Sequence, residues 1–255
     1  GSEMCIRDSY TLVPRCTVRP MTAHILSLAT AVPPNEIRQS DVAVAAEAVF
    51  AGRSETFRRL YPIYANAGIV KRYSCVPLEW YQEPHGWPER HDLFVDSALD
   101  LLQCTTEDCL VRAGCSPEMV DGVVVVSTTG MTAPSLDARL MERVAFRRNV
   151  QRLPVFGLGC AGGVLGLARA AALARANPGQ KWLLLVVELC GLTFRPRDLS
   201  NSNIVATAIF GDGAAAALLS TDGDGPALVA SGEHTWPQSL DVMGWHIEDD
   251  GFGVL

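Results

Sequence analysis

The segment spanning residues 153–188 constrains the fold more than any other part of the chain. An apolar run at 153–158 leads into a glycine-rich turn, and residues 161–176 follow with helical character until Asn177-Pro178-Gly179 ends them. A second apolar run covers 182–188. Strand, helix and strand at this length predict parallel pairing and a right-handed crossover. The segment therefore predicts an α/β fold.

Further elements are predicted on both sides of this unit. The unbroken run of β-branched residues at 122–127 is typical of a strand buried on both faces. Hydrophobic periodicity and breaker residues predict the rest. We expect a strand at 24–30, an ordered loop at 75–90, and helices at 39–51 (with Ser40 as N-cap), 53–65, 92–113 and 135–146.

Cys160 lies at the junction of the first strand and the helix of this unit. A helix N-terminus presents unpaired N–H groups and a partial positive charge, and both favour a thiolate, the reactive form of cysteine. A nucleophile placed there suits covalent acyl transfer. The alternative is that Cys160 is simply a small buried hydrophobic residue. Neighbouring glycines leave room for a substrate and favour the functional interpretation; they are Gly157, Gly159, Gly162, Gly163 and Gly166.

The helix at 161–176 is apolar except for Arg169 and Arg175. A helix that is apolar all round is usually buried on every side. We therefore expect it at the centre of the fold, with Cys160 at its tip facing a cavity.

A competing interpretation uses the same glycines. Gly157, Gly159 and Gly162 fit the G-x-G-x-x-G pattern of a dinucleotide-binding turn. That motif expects an acidic residue about 20 positions later, at the end of the second strand, to bind a ribose. Glu188 occurs slightly late for this role. An oxidoreductase therefore stays open as an alternative.

Composition narrows the function classes. The net charge of −7 argues against a nucleic-acid partner, because such binding needs clustered basic residues. Hydrophobic residues make up 48% and charged residues 19%, which predicts a folded core. The longest apolar-rich stretch, 153–168, is too short for a membrane span of about 20 residues.

The eight cysteines fit a reduced cytoplasmic protein with buried thiols. A zinc site at Cys104, Cys109 and Cys115 is a weaker alternative, so no metal is expected.

Four segments together resemble the type III polyketide synthases, the chalcone-synthase-like branch of the thiolase superfamily, and in particular the bacterial members. They are FGLGCAGG at 156–163, ELCGLTFR at 188–195, FGDGAAA at 210–216 and MGWHIEDDGF at 243–252. The segments GIVKRY at 68–73 and STTG at 127–130 add to the similarity. The resemblance implies a thiolase-like fold, layered αβαβα when complete. This chain would supply the N-terminal half and an incomplete C-terminal half.

The resemblance also implies an activity: an acyl-CoA loads Cys160, and malonyl-CoA then loses carbon dioxide and condenses with the thioester. Phe210 matches the gatekeeper aromatic, which assists decarboxylation; on its own it could be a core residue before a turn. The positions of Thr128, Thr129, Cys190 and Thr193 border the cavity, although Thr128 and Thr129 could be an ordinary strand end. Val254 falls where plant members carry a second gatekeeper phenylalanine.

Binding partners follow from the same resemblance. CoA thioesters act as substrates, and no bound cofactor is expected. Arg58, Arg59 and Lys71 lie where the family binds the CoA phosphates; a solvated helical face is the alternative. Ala133-Pro134 matches a loop that reaches the partner subunit, which implies a homodimer.

The family uses a Cys-His-Asn triad, and its His and Asn match no position in this chain. His234 and His246 are rejected for the histidine role. We therefore expect a truncated piece with little or no turnover: residues 1–20 as an artefactual leader, 21–220 as the nucleophile-bearing domain and 221–255 as the start of the remaining domain. A ketoacyl-ACP synthase III and a non-catalytic assembly partner remain alternatives.

Overall fold

The computed structural model describes residues 21–254, so the predicted leader and Leu255 lie outside the described residues. Ten strands are present in this part of the chain: β1 Ala23–Ala31, β2 Asn35–Arg38, β3 Lys71–Ser74, β4 Gly122–Ser127, β5 Gln151–Phe156, β6 Trp182–Leu189, β7 Asp212–Ser220, β8 Ala227–Leu228, β9 Trp245–Glu248 and β10 Gly251–Val254. Its seven α-helices are α1 Gln39–Phe50, α2 Phe57–Leu60, α3 Ile63–Asn66, α4 Trp87–Arg112, α5 Leu136–Leu140, α6 Gly162–Ala176 and α7 Asn201–Ile209. None of them is long and apolar enough to cross a membrane.

Six strands form a mixed sheet in the order β5-β4-β6-β7-β1-β8. β4 runs parallel to β5 and β6, whereas β7 is antiparallel to both β6 and β1. All six residues of β4 are buried, which confirms the strand predicted to be covered on both faces. The mixed α/β class predicted from the sequence is therefore observed.

The predicted pairing of the two strands around α6 is wrong in one respect. β5 and β6 are parallel, but β4 lies between them. The fully apolar β4 takes the interior position, where both of its faces are covered. β5 contains Pro154, which has no N–H to donate, and it occupies the sheet edge, where such a residue is tolerated.

The sheet is covered by a helix layer on each face. α4 packs against β1, β6 and β7 on one face. The hydrophobic core on this face includes the buried Leu102, Leu140 and Leu185. α6 lies on the opposite face, where Ala170 and Ala174 pack against Trp182 and Leu219. The described residues thus form an α/β/α sandwich, with the strand ends meeting near the start of α6.

The expectation that α6 is buried on all sides is wrong for the described part of the chain. Its buried residues are Gly162, Gly166, Ala170, Ala171 and Ala174, which all face the sheet. Val164 on the other side is 73% exposed. Besides the sheet, Glu233 contacts the helix through an ion pair of 2.8 Å with Arg169.

A third cluster joins α1, α2, α3 and α7 beside the sheet, around Phe50, Phe57, Tyr64 and Ile204. The helix predicted at 53–65 is instead two short helices, with Pro62 at the break between them. α1 begins at Gln39 with Arg38 as its N-cap, so the prediction for Ser40 is wrong. The helix predicted at 135–146 is also shorter and spans only Leu136–Leu140.

Candidate active site

Cys160 is exposed in a short 3-10 turn, Gly159–Ala161, that connects β5 to α6. Gly157 has φ of 87° and Gly159 has φ of 57°. Residues with a Cβ atom rarely adopt these angles, so the two glycines allow the chain to turn sharply on either side of Leu158. The turn leaves Cys160 at the surface of residues 21–254.

Thr128, at the end of β4, holds this turn in place. The backbone N–H of Gly159 donates a hydrogen bond of 3.0 Å to the Thr128 hydroxyl oxygen. Thr128 is 5% exposed and its position is therefore well restrained. Gly159, directly before Cys160, is thus tied to the strand next to β5.

Glu188, at the end of β6, organises the same strand ends. Its carboxylate accepts hydrogen bonds from the Thr128 N–H (2.9 Å), the Thr129 N–H (3.0 Å) and the Thr129 hydroxyl (2.7 Å). Burial raises the pKa of Glu188 above its usual value, and these donors counteract only part of that effect. The Thr129 hydroxyl also accepts from the N–H of Leu189 at 2.8 Å. A continuous network therefore runs from the Cys160 turn to the start of the Cys190 turn.

Sequence reasoning missed this role of Glu188, which it considered only as a ribose ligand. A single carboxylate in an otherwise apolar strand was the available signal, because a half-buried charge requires donors close by. The structure directs that carboxylate to the Thr128 and Thr129 amides. β4 also separates β5 from β6, which differs from the adjacent strands of a dinucleotide-binding unit. Both observations oppose the dinucleotide interpretation.

Cys190 and Thr193 lie in a 3-10 turn, Cys190–Thr193, directly after β6. The Thr193 hydroxyl donates to the Cys190 carbonyl at 2.8 Å and closes the turn. Burial raises the pKa of Cys190 to about 12, so its thiol stays protonated near neutral pH. Cys190 is therefore suited to lining a cavity and not to nucleophilic attack.

Asp212 anchors the Cys190 turn from the first position of β7. Its carboxylate accepts from the N–H groups of Gly191 (2.7 Å) and Cys75 (3.0 Å). Asp212 is 7% exposed, and burial raises its pKa above the usual range. The Gly-Asp-Gly turn after Phe210 thus fixes the cavity wall.

Two clefts adjoin these turns. The large cleft encloses about 750 Å³ including its open mouth, and its lining includes Cys190, Thr193, Phe210 and Asp212. The small cleft encloses about 380 Å³ and includes Thr129, Thr193 and Phe252. Thr193 borders both, so Thr129, Cys190 and Thr193 lie around one turn. Cys160, which the sequence predicts to face a cavity, and Thr128 line neither cleft as residues 21–254 form them.

Val254 is half-buried on β10 and pairs with Trp245. It lies outside the lining of both clefts as residues 21–254 form them. The neighbouring Phe252 is instead the aromatic residue of this strand that reaches the small cleft. Its ring centroid is 6.4 Å from that of Phe156 on the strand leading to Cys160.

The basic residues predicted to bind CoA are at the surface. Arg58 and Arg59 are exposed on α2, which packs against α7. Lys71 on β3 forms an ion pair of 2.6 Å with Glu36. That pair would have to open before Lys71 could bind a phosphate.

The histidines and the remaining cysteines give no further site among the described residues. His234 and His246 are both exposed. Within residues 21–254, no three His, Cys, Asp or Glu side chains are arranged to hold a metal ion. Cys104 is exposed, whereas Cys109 and Cys115 are buried.

Comparison with known families agrees with this arrangement. The profile of the chalcone and stilbene synthases, N-terminal domain, matches residues 15–223. The chain belongs to this family. The thiol, the cavity turn and the Gly-Asp-Gly turn described above therefore lie within a chalcone and stilbene synthase domain.

Two curated relatives support the assignment to the chalcone and stilbene synthases. The "Putative chalcone synthase" of Bacillus subtilis is 36% identical over 247 residues, which cover 91% of this chain and 68% of the relative. The 1,3,6,8-tetrahydroxynaphthalene synthase of Streptomyces peucetius is 35% identical over 254 residues, covering 96% of this chain and 66% of the relative. The chain thus spans about two thirds of the length of these relatives.

Solved structures give the same fold. The 1,3,6,8-tetrahydroxynaphthalene synthase of Streptomyces coelicolor, a bacterial type III polyketide synthase, aligns with a TM-score of 0.87 at 25% identity, covering 91% of this chain and 67% of that one. Germicidin synthase of the same organism aligns with a TM-score of 0.86 at 22% identity, covering 92% and 70%. These matches confirm the thiolase-like fold predicted from the sequence and the type III polyketide synthase family.

Proposed function

We propose that the complete protein condenses malonyl-CoA onto an acyl-CoA starter, with Cys160 as the acyl-accepting residue. The observation that carries this proposal is the exposed Cys160 thiol on a turn restrained by Thr128 and Glu188. Membership of the type III polyketide synthase family supports the reaction class. A nucleophile at a rigid strand–helix junction is pre-organised for covalent catalysis.

The proposed reaction has two steps, the loading of Cys160 and the decarboxylative condensation. The Cys160 thiolate attacks the carbonyl carbon of the acyl-CoA, the C–S bond to CoA breaks, and CoA leaves as a thiolate that takes up a proton. Malonyl-CoA then loses carbon dioxide, and the electron pair of the broken C–C bond forms an enolate. The enolate carbon attacks the Cys160 thioester, forms a new C–C bond and releases the Cys160 thiolate. The extended chain ends on CoA, and no separate cofactor is required.

The neighbouring residues take supporting roles in this proposal. Phe210 would separate the CoA entrance from the cavity and assist decarboxylation. Thr128, Thr129, Cys190, Thr193 and Val254 would shape the space for the growing chain. Arg58, Arg59 and Lys71 would attract the CoA phosphates, since basic side chains suit that charge. A cytoplasmic homodimer joined near Ala133 and Pro134 is part of the same proposal.

The 255-residue chain itself is proposed to have little or no turnover. Decarboxylation needs donors that stabilise the enolate oxygen. No histidine of the described residues is fully buried: His24, His85 and His91 are half-buried, and His234 and His246 are exposed. About a third of each relative's length lies outside the region that matches this chain. Activity is therefore expected from the longer protein.

The test uses the full-length protein with malonyl-CoA and a series of acyl-CoA starters of increasing chain length, with products detected by mass spectrometry. We expect polyketide products, and we expect Cys160→Ala to abolish them while Cys104→Ala leaves them unchanged. Consumption of malonate from a carrier protein alone would favour the ketoacyl-ACP synthase alternative. Product formation by Cys160→Ala would refute the proposal.

A further inference from the structure

Phe210 directly follows the C-terminus of α7, where the last helical carbonyls have no partner within the helix. Arg72, on β3, supplies the missing donors. Its Nη1 donates to the carbonyls of Thr207 and Phe210, each at 2.7 Å. Its Nη2 donates to the carbonyl of Ala208 at 2.7 Å. One guanidinium thus binds three carbonyls at the helix end, including that of Phe210 itself.

Gln39, the first residue of α1, supports this contact. Its side-chain oxygen accepts a hydrogen bond from Arg72 Nη2. Its Nε2 donates to the carbonyls of Ala208 (2.9 Å) and Tyr64 (3.1 Å). Gln39 is 6% exposed, so it has little freedom to leave the site. The guanidinium of Arg72 is therefore held on both sides.

The charges around Arg72 favour the same position. The C-terminus of a helix carries a partial negative charge, which a cation stabilises. The Arg72 cation also lowers the pKa of the buried Asp212, although burial has the larger, opposite effect. Arg72 and Asp212 both line the large cleft, together with Phe210. The backbone between Phe210 and Asp212 is thus restrained at each end by a buried polar contact.

We propose that Arg72 is a positioning residue for Phe210, fixing its backbone so that the ring stays at the wall of the large cleft. This inference rests on the proposed function, in which Phe210 separates the CoA entrance from the cavity. Three carbonyls in different directions require the planar fork of arginine. Lysine presents a compact ammonium group and would satisfy fewer of them.

The first test measures hydrogen exchange in the purified protein and needs no activity. Arg72→Met should speed exchange in the last turn of α7 and at Phe210, whose N–H bonds to Ala206 at 2.9 Å, by about tenfold or more. Arg72→Lys should give an intermediate effect. Leu102→Ala, in the distant α4 core, is the control that lowers global stability without touching α7. Unchanged exchange at Phe210 in Arg72→Met, relative to Leu102→Ala, would overturn the proposal.

The second test is a double-mutant cycle on malonyl-CoA decarboxylation by the full-length protein. If Arg72 acts through Phe210, Arg72→Met should lower kcat/KM about tenfold in the wild type but less than about twofold in Phe210→Ala, because coupled residues are not additive. Equal losses in the two backgrounds would show that Arg72 acts independently and would overturn the proposal.

The two tests separate the failure of this inference from that of the proposed function. If the wild type does not decarboxylate malonyl-CoA, the proposed function fails, and hydrogen exchange alone decides whether Arg72 fixes Phe210. If Arg72→Met does not fold, Arg72→Lys carries both measurements. An intermediate loss that disappears in Phe210→Ala would then support the positioning role.

Discussion

At the scale of single residues, Glu188 connects two turns of the candidate site. Its carboxylate binds Thr128, which holds Gly159 next to Cys160, and Thr129, which holds Leu189 next to Cys190. A typical intramolecular hydrogen bond contributes roughly 0.5–1.5 kcal/mol to stability. Loss of this carboxylate should therefore affect two turns at once.

We expect Glu188 to make stability depend on pH. Burial raises its pKa in the folded state above the ordinary value of 4.5. Its contribution is thus fully present below pH 4.5 and is lost as pH rises through the folded-state pKa, because the unfolded chain ionises first. Glu188→Gln removes this loss. The difference in unfolding free energy, Glu188→Gln minus wild type, should increase as pH rises from 4.5 to neutrality.

Urea unfolding at several pH values measures that difference. Glu47→Gln, on the exposed side of α1, is the control for removing one negative charge. A difference that shrinks with rising pH would mean that Glu188 is stabilised as a carboxylate and would contradict this account.

How far the sequence predicts the site depends on whether a role is local. The prediction for Cys160 rests on glycines and a helix start that lie within a few residues of it. Arg72 and Glu188 act on backbone groups that are 135 and 60 positions away in the chain. No local pattern encodes such distances, so only the folded arrangement identified these two residues.

At the scale of elements, the packing of α6 on the sheet depends on a glycine. A Cβ atom at Gly166 would lie 2.8 Å from Val126 Cγ2 and 3.0 Å from Leu184 Cδ1. A Cβ atom at Gly163, in the same helix, would meet no atom within 4 Å. Alanine substitutions at these two positions therefore distinguish the effect of close packing from the effect of helix propensity.

Gly166→Ala should destabilise the protein by about 1–3 kcal/mol, because the helix must move away from β4 and β6. Gly163→Ala should stabilise it by up to about 1 kcal/mol, since alanine favours a helix over glycine. Thermal or urea unfolding of both variants measures the contrast. Equal effects of the two substitutions would show that α6 does not approach the sheet as closely as described.

How well the sequence predicts a helix or strand depends on the surroundings of that element in the fold. β4 and α6 were predicted closely because burial gives them a continuous apolar pattern. The segment 53–65 was not, because Pro62 interrupts a run that otherwise favours a helix. The place of β4 between β5 and β6 depends on contacts between distant segments, which a local pattern does not specify.

At the scale of the whole molecule, the described residues form one sheet between α4 and α6, with the site where β4, β5 and β6 end. The composition of α6 predicts burial on every side, yet Val164 on this helix and Phe156 at the end of β5 are substantially exposed. The curated relatives are about one and a half times as long as the matched region. About a third of each relative's length has no counterpart in the matched region.

Covalent loading of Cys160 tests the central claim most directly. Full-length protein is incubated briefly with an acyl-CoA, and its intact mass and cysteine-containing peptides are measured. The account predicts the addition of one acyl group, located on the peptide that contains Cys160 and absent from Cys160→Ala. An acyl group on Cys190, or its persistence in Cys160→Ala, would contradict the account.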